Sequence, residues 1–184
     1  MKPRTWILLA WLLPLQPAVS QIYSTNKGFI SFFSEAPIAN VDARNSNVSV
    51  KLNTSTNELV FDIDMKDFDF KNGKMGRDAQ RKYIETNEYP EAGFKGKISG
   101  KIDFNKPGKY PAIATGKLKI HGVENEVSEK GTVTVQGDRI LLTSEFNIQL
   151  AAYKIDTPSI LGQNMTKDNV LVKVQATLRP AASR

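Results

Sequence analysis

Glu58-Leu59-Val60-Phe61-Asp62-Ile63-Asp64-Met65 decides the fold. Leu59, Phe61, Ile63 and Met65 share one face, and Asp62 and Asp64 share the other, so this octapeptide reads as a half-buried β-strand. Outward from it, Val48, Val50 and Leu52 form a shorter partner strand. The polar Asn53-Thr54-Ser55-Thr56-Asn57 between them reads as a hairpin turn. Downstream, Gly116, Leu118 and Ile120 alternate with Lys117, Lys119 and His121, and Val133 and Val135 alternate with Thr132 and Thr134. Gln136-Gly137-Asp138 then turns the chain into Ile140, Leu142, Ser144, Phe146 and Ile148. Val170, Val172, Val174, Ala176 and Leu178 make the last strand. With residues 28–35 and 94–104, about eight strands are expected in an all-β chain. The segment from about Met75 to Glu85 breaks the pattern, because Met75, Ala79 and Tyr83 recur at helical spacing. Asn72 or Gly73 can begin that helix and Pro90 forbids its continuation. Many short strands with one inserted helix indicate an antiparallel sandwich or barrel.

An eight-stranded closed sheet is wide enough to fill itself with side chains or to hold one small ligand. The apolar faces here mix large and small residues. Ala112, Ala114 and Gly116 precede Leu118 and Ile120, Gly96 and Gly100 flank Ile98, and Ser144 sits between Leu142 and Phe146. Small inward residues remove volume and leave room for a guest, and an apolar cavity tends to stay dry or take an apolar occupant. The alternative is that these positions mark strand bends or close packing. Parity leaves both readings open, and it does not assign the inner face where both faces are apolar, as at Ile140-Leu141-Leu142.

Three stretches resemble the YceI-like family. Met75 to Gly96, including Tyr83, Tyr89-Pro90 and Phe94-Lys95-Gly96, is similar to its helix followed by a Tyr-Pro and Phe-x-Gly signature. Gly116-Lys117-Leu118-Lys119-Ile120-His121-Gly122-Val123 resembles its Gly-x-Leu-x-Ile-x-Gly-Val strand and turn. Phe146 to Pro158 and the valine-rich last strand resemble its C-terminal third. The resemblance implies an eight-stranded antiparallel lipocalin-like barrel with one short inserted helix (about 75–85), and a lumen suited to isoprenoid or other long amphiphilic lipids. Two departures stand out. Phe29-Ile30-Ser31-Phe32-Phe33-Ser34 lacks the histidine that family members often carry there, and Lys74 precedes Met75 where a histidine is frequent. If those histidines read a polar head group in the family, this protein must read it differently or not at all.

The N-terminus indicates export. Lys2 and Arg4 precede the apolar run Trp6 to Leu13, and Ala18-Val19-Ser20 offers a cleavage site before Gln21. That run is too short to span a bilayer, which takes roughly 20 apolar residues. A membrane anchor is the other reading of it. A signal peptide at 1–20 would leave 21–184 as one domain with no integral membrane segment, periplasmic or secreted. The chain has no cysteine, so neither a lipid anchor on cysteine nor a disulfide is available, and a bacterial periplasm fits better than a eukaryotic secretory route. Asn47, Asn53 and Asn164 begin glycosylation sequons that matter only in the latter. The formal net charge of +6 falls by two when Lys2 and Arg4 leave. The remaining charges are interleaved and do not form the basic, aromatic-bearing surface that nucleic acid needs.

Catalysis finds little support. His121 is the only histidine and is placed on the solvent side, beside the Gly122 turn. One histidine and no cysteine exclude multi-histidine and thiolate metal sites within one chain, and no Gly-x-Ser-x-Gly elbow occurs. Asp67-Phe68-Asp69-Phe70-Lys71-Asn72-Gly73 fails as a calcium loop, because Lys71 stands where a ligand belongs and Asn72 where glycine is required. No metal, cofactor or catalytic residue is expected.

The expected lumen residues are Phe29, Phe61, Ile63, Phe94 and Ile98 from the first strands, with Met75 and Tyr83 from the helix. Ala114, Gly116, Leu118, Leu142, Phe146 and Val172 complete the set. Phe104 is a further aromatic candidate, Tyr83 and Tyr89 can close one mouth, and Lys74, Arg77 and Arg81 can meet an anionic head group or simply face solvent. The leading expectation is a binding protein for a long apolar or amphiphilic molecule. The alternative is an envelope interaction or stress-adaptation protein with a filled barrel and a protein partner.

Overall fold

A computed structural model describes residues 22–34, 40–156, 159–160, 163–164 and 169–181. The signal-peptide expectation for 1–20 lies outside them. Eight long strands form the wall: β1 (Ile22–Ser34), β2 (Val41–Asn53), β3 (Glu58–Asp64), β5 (Glu91–Ser99), β6 (Gly108–Ile120), β7 (Val123–Gln136), β8 (Arg139–Gln149) and β11 (Asn169–Pro180). Three two-residue strands, β4 (Asp69–Phe70), β9 (Ser159–Ile160) and β10 (Gln163–Asn164), are accessory. The long strands pair antiparallel in the order β1-β11-β8-β7-β6-β5-β3-β2, and β2 pairs back onto β1. The sheet is therefore closed into an eight-stranded barrel, the one of the two architectures left open by alternation that the family resemblance implies, and closure removes its exposed edges.

Local chemistry sets the turns. His121 and Gly122 join β6 to β7 with φ of 51° and 72°, and positive φ at both central residues is what a type I′ hairpin requires. Gly137, at φ 60°, supplies the same conformation in the turn from β7 to β8. Asn53 accepts from the backbone N–H groups of Ser55 and Thr56 through Oδ1, at 3.0 and 3.2 Å, and so shapes the turn into β3.

Two irregularities shift side-chain parity. Between Thr25 and Gly28, β1 carries one residue more than β2 opposite it, and between Val48 and Asn45 the excess lies on β2. These are β-bulges, each of which swaps the face that following residues present. In β1 the inward set accordingly passes from Tyr23 to Gly28, Ile30, Phe32 and Ser34.

The helix α1 spans Gly73–Lys82, two to three residues earlier at each end than the spacing of Met75, Ala79 and Tyr83 predicts. The chain leaves the helical path after Tyr83, and Glu85 takes φ 51°. Helix α1 docks through Gly76, where an added Cβ would lie 2.6 Å from Phe70 Cβ. Gln80 also donates to the Phe68 carbonyl, at 3.3 Å. Among the described residues no helix is long and apolar enough to cross a membrane.

Packing divides the barrel into two halves. Near the β2–β3 and β7–β8 turns, Val48, Val50, Leu52, Ile140 and Leu178 are completely buried, and they form a solid floor. Ile140 and Leu142 are the inward pair there, which resolves the face that Leu141 left ambiguous. Towards α1 the packing gives way to open space.

The β7–β8 ladder is incomplete. It runs from Gln136–Arg139 only to Gly131–Ser144, whereas β7 pairs with β6 along its whole length to Val123. Residues 123–130 and 145–149 therefore diverge, and a seam opens in the wall. The 3-10 turn η2 (Leu150–Tyr153) and Ile155 wedge into its outer end, where Tyr153, Ile155 and Leu118 form a second buried cluster with Val123, Val127, Phe146 and Ile148.

Candidate functional site: an apolar lumen

The space above the floor is a cavity of about 590 Å³, within the roughly 300–1,000 Å³ usual for small-molecule sites. All eight wall strands line it, among them Ile30 and Phe32 of β1, Leu59, Phe61 and Ile63 of β3, and Val170, Val172 and Val174 of β11. The end opposite the floor is built by Met65, Phe68, Phe70, Ala79 of α1, and Tyr83 and Ile84 just after the helix. Phe32 stands against both Phe68 and Phe70, with ring centroids 5.1 and 5.6 Å apart, so one aromatic cluster props the mouth. Such edge-on pairs add stability beyond their buried area.

Ten of the expected lumen residues meet in this cavity: Phe61, Ile63, Tyr83, Phe94, Ile98, Ala114, Leu118, Leu142, Phe146 and Val172. Two expected residues do not. Phe29 faces outward, because the β1 bulge gives the inner face to Ile30 and Phe32. Gly116 has the inward parity but lies against Gly96 of β5, its register partner; a Cβ on Gly116 would collide with the Gly96 Cα and the Lys95 carbonyl. The two glycines create a close backbone approach rather than lumen volume. Phe94 covers them, its Cζ lying 2.6 Å from where a Gly96 Cβ would be. The backbone of Met75 is in α1, and its side chain lies outside what the structure describes.

Phe104 packs against the core and does not line the cavity. Lys74 reaches the lining, while Arg81 pairs with Asp78 at 3.5 Å on the helix surface. Tyr89 does not close the mouth: it stacks on His121, centroids 4.3 Å apart. His121 is not on the solvent side, since its side chain is only 9% exposed. Its Nε2 lies 2.9 Å from Glu85 Oε2 and its Nδ1 3.2 Å from the Tyr153 carbonyl. The residue ties the β6–β7 turn to the segment after α1 and to η2, and both ring nitrogens are engaged.

Several lining residues escaped the sequence reading. Ile30 and Phe32 were hidden by the bulge. Phe68 and Phe70 were legible as the apolar half of Asp67-Phe68-Asp69-Phe70. Glu129 is the least expected. It lies on the inner face of β7 with Val127 and Val133, pairs with Ala114 of β6, and lines the cavity. Burial pushes its carboxyl above the usual range, as low-dielectric surroundings do to a charged group. The Tyr153 phenol is likewise raised by burial, and by the nearby Glu129 charge.

The YceI-like domain family model matches residues 15–178. No curated protein sequence matches the chain at a significant level. Among solved structures, a polyisoprenoid binding domain from Saccharophagus degradans superposes with a TM-score of 0.73 at 15% identity, covering 88% of this chain and 99% of that one. BcnA of Burkholderia cenocepacia gives 0.68 at 20%, covering 83% and 96%. A YCEI protein of Campylobacter jejuni gives 0.53 at 18%, covering 96% and 98%. At these identities the structural likeness establishes the shared fold. With the family model spanning nearly the whole sequence, the chain belongs to the YceI-like domain family.

Proposed function

We propose that this protein binds a long apolar or amphiphilic molecule, isoprenoid or fatty, in the lumen of its barrel, and that it does so in the periplasm or after secretion. The observation that carries the reading is the 590 Å³ cavity lined from all eight strands by Phe, Ile, Leu and Val side chains. A hydrocarbon chain entering it is withdrawn from water at about 0.8 kcal/mol per methylene, so binding needs few polar contacts. The polyisoprenoid binding named for the Saccharophagus degradans domain is in keeping with such a guest. The filled-barrel alternative, with a protein partner, loses its premise because the centre is hollow.

The role is carriage rather than chemistry. His121, the single histidine, has both nitrogens occupied by structural contacts, and among the described residues no basic side chain pairs with Glu129. No metal or cofactor enters the reading. The basic, apolar and small-residue pattern of Lys2 to Ser20 supports export by a leader at 1–20, with 21–184 working as one unit, and a cysteine-free sequence suits a bacterial envelope.

The test is organic extraction of the purified full-length product followed by mass spectrometry. A long-chain lipid at a fixed molar ratio to protein is expected. A lipid-free extract, combined with no uptake of a fluorescent long-chain probe, overturns the reading.

A further inference from the structure

The wall of the barrel opens at the β7–β8 seam, and the opening coincides with a carboxyl group on the lumen's inner face. Beyond the Gly131–Ser144 pair the β7–β8 ladder stops. Thr132 and Thr143, whose paired positions put them on the outer face of the sheet, nonetheless belong to the cavity lining with Gly131 and Ser144. Thr132 and Thr143 form an intact rung of the ladder, so the wall is closed there and opens only beyond Gly131–Ser144. Gly131 marks a close approach of the two strands at the last rung: a Cβ there would lie 2.8 Å from the Thr143 carbonyl. Ser144 spends its hydroxyl proton on the Lys130 carbonyl at 2.6 Å, so towards the lumen it offers only acceptor lone pairs.

Glu129 stands two residues beyond the last pair, on the inner face. Among the described residues no cation pairs with it, in contrast to Asp78, which is held by Arg81 and Lys82 on the helix surface. A carboxyl group facing apolar walls is stabilised by a guest that brings a hydrogen-bond donor or a positive charge. A phosphate, sulfate or carboxylate head would instead meet it with like charge. The acceptors of Ser144 point to the same preference.

We propose that the occupant is an amphiphile whose polar end is an ammonium or a hydroxyl group, seated against Glu129 at the β7–β8 seam with its chain running towards the floor. This rests on the lumen-binding reading and adds the head-group class and its position. The chain as a whole is net positive, so overall charge would favour anionic guests, and the opposite order must come from the site.

The experiment is displacement of a fluorescent long-chain probe from delipidated protein by dodecylamine, dodecanol and dodecanoate at neutral pH. The wild type is expected to bind dodecylamine roughly ten- to hundredfold more tightly than dodecanoate, the range that a charge-assisted hydrogen bond supplies. Glu129→Gln, nearly isosteric, should abolish that difference and leave dodecanol within a few-fold, and Glu129→Lys should reverse it, with circular dichroism confirming the fold of each. Dodecanoate matching dodecylamine in the wild type, or a preference that survives Glu129→Gln, overturns the head-group assignment alone. Failure of all three chains to displace the probe overturns lumen binding itself.

Discussion

Asn45 shows how one side chain fixes the geometry of the wall. It is 1% exposed and sits where β2 gains its extra residue. Its Oδ1 accepts from the Asn47 backbone N–H at 2.8 Å and its Nδ2 donates to the Asp64 carbonyl at 3.0 Å. The bulge is thereby held on one side by its own strand and on the other by the end of β3. Asn45→Ala leaves the Asn47 N–H and the Asp64 carbonyl without this partner, so it is expected to lower stability by about 1 kcal/mol, read as a drop in the urea midpoint with an unchanged slope. No change would mean that the bulge is set by the sheet alone. Nothing in the sequence distinguishes Asn45 from the exposed asparagines around it, because its role depends on Asp64, nineteen residues away. The same holds at Phe29: in Phe29-Ile30-Ser31-Phe32-Phe33 both parities are apolar, and only the bulge upstream decides which faces inward. Glu129 was masked for a different reason. In Glu124 to Lys130 charged residues occupy both parities, so an inward carboxylate looks like one more solvated one.

At the level of elements, β3, most of β8, β11 and the Thr132–Val135 end of β7 were legible because polar and apolar residues largely alternate there. Helix α1 was legible as a helix, and its limits were not, since its end is set by the turn at Glu85 and by docking onto Phe70. The β5–β6 pair departs from expectation. Gly96 and Gly116 appear from sequence as lumen-enlarging residues, yet they face each other at a distance that leaves no room for a side chain. A bulky residue at Gly116 should consequently disrupt the pairing and destabilise the barrel rather than merely fill it. Ala114, one inward position along β6 and beside Ile98 and Glu129, is the place to add volume. Ala114→Phe is expected to retain the far-ultraviolet spectrum and most of the thermal stability while reducing probe uptake at least tenfold. Uptake that persists at the wild-type level would mean that the chain does not pass this point of the wall.

Over the whole molecule, the decisive property is the division between a packed floor and a hollow upper half. Alternation predicted the number of strands and left sandwich and barrel both open; the family resemblance implied the barrel, and parity did not say whether its interior was full. The answer depends on how far the large side chains reach across the barrel, and on how α1, Phe68 and Phe70 prop the mouth. Neither is a property of any single strand. The most direct measurement of the central claim is calorimetric titration of delipidated protein with a series of straight-chain alcohols of increasing length. If the guest is buried in this lumen, affinity should rise about fourfold per added methylene, the equivalent of about 0.8 kcal/mol, until the chain spans the cavity, and then level off at one molecule per barrel. Affinity independent of chain length, or no saturable binding at any length, would contradict it.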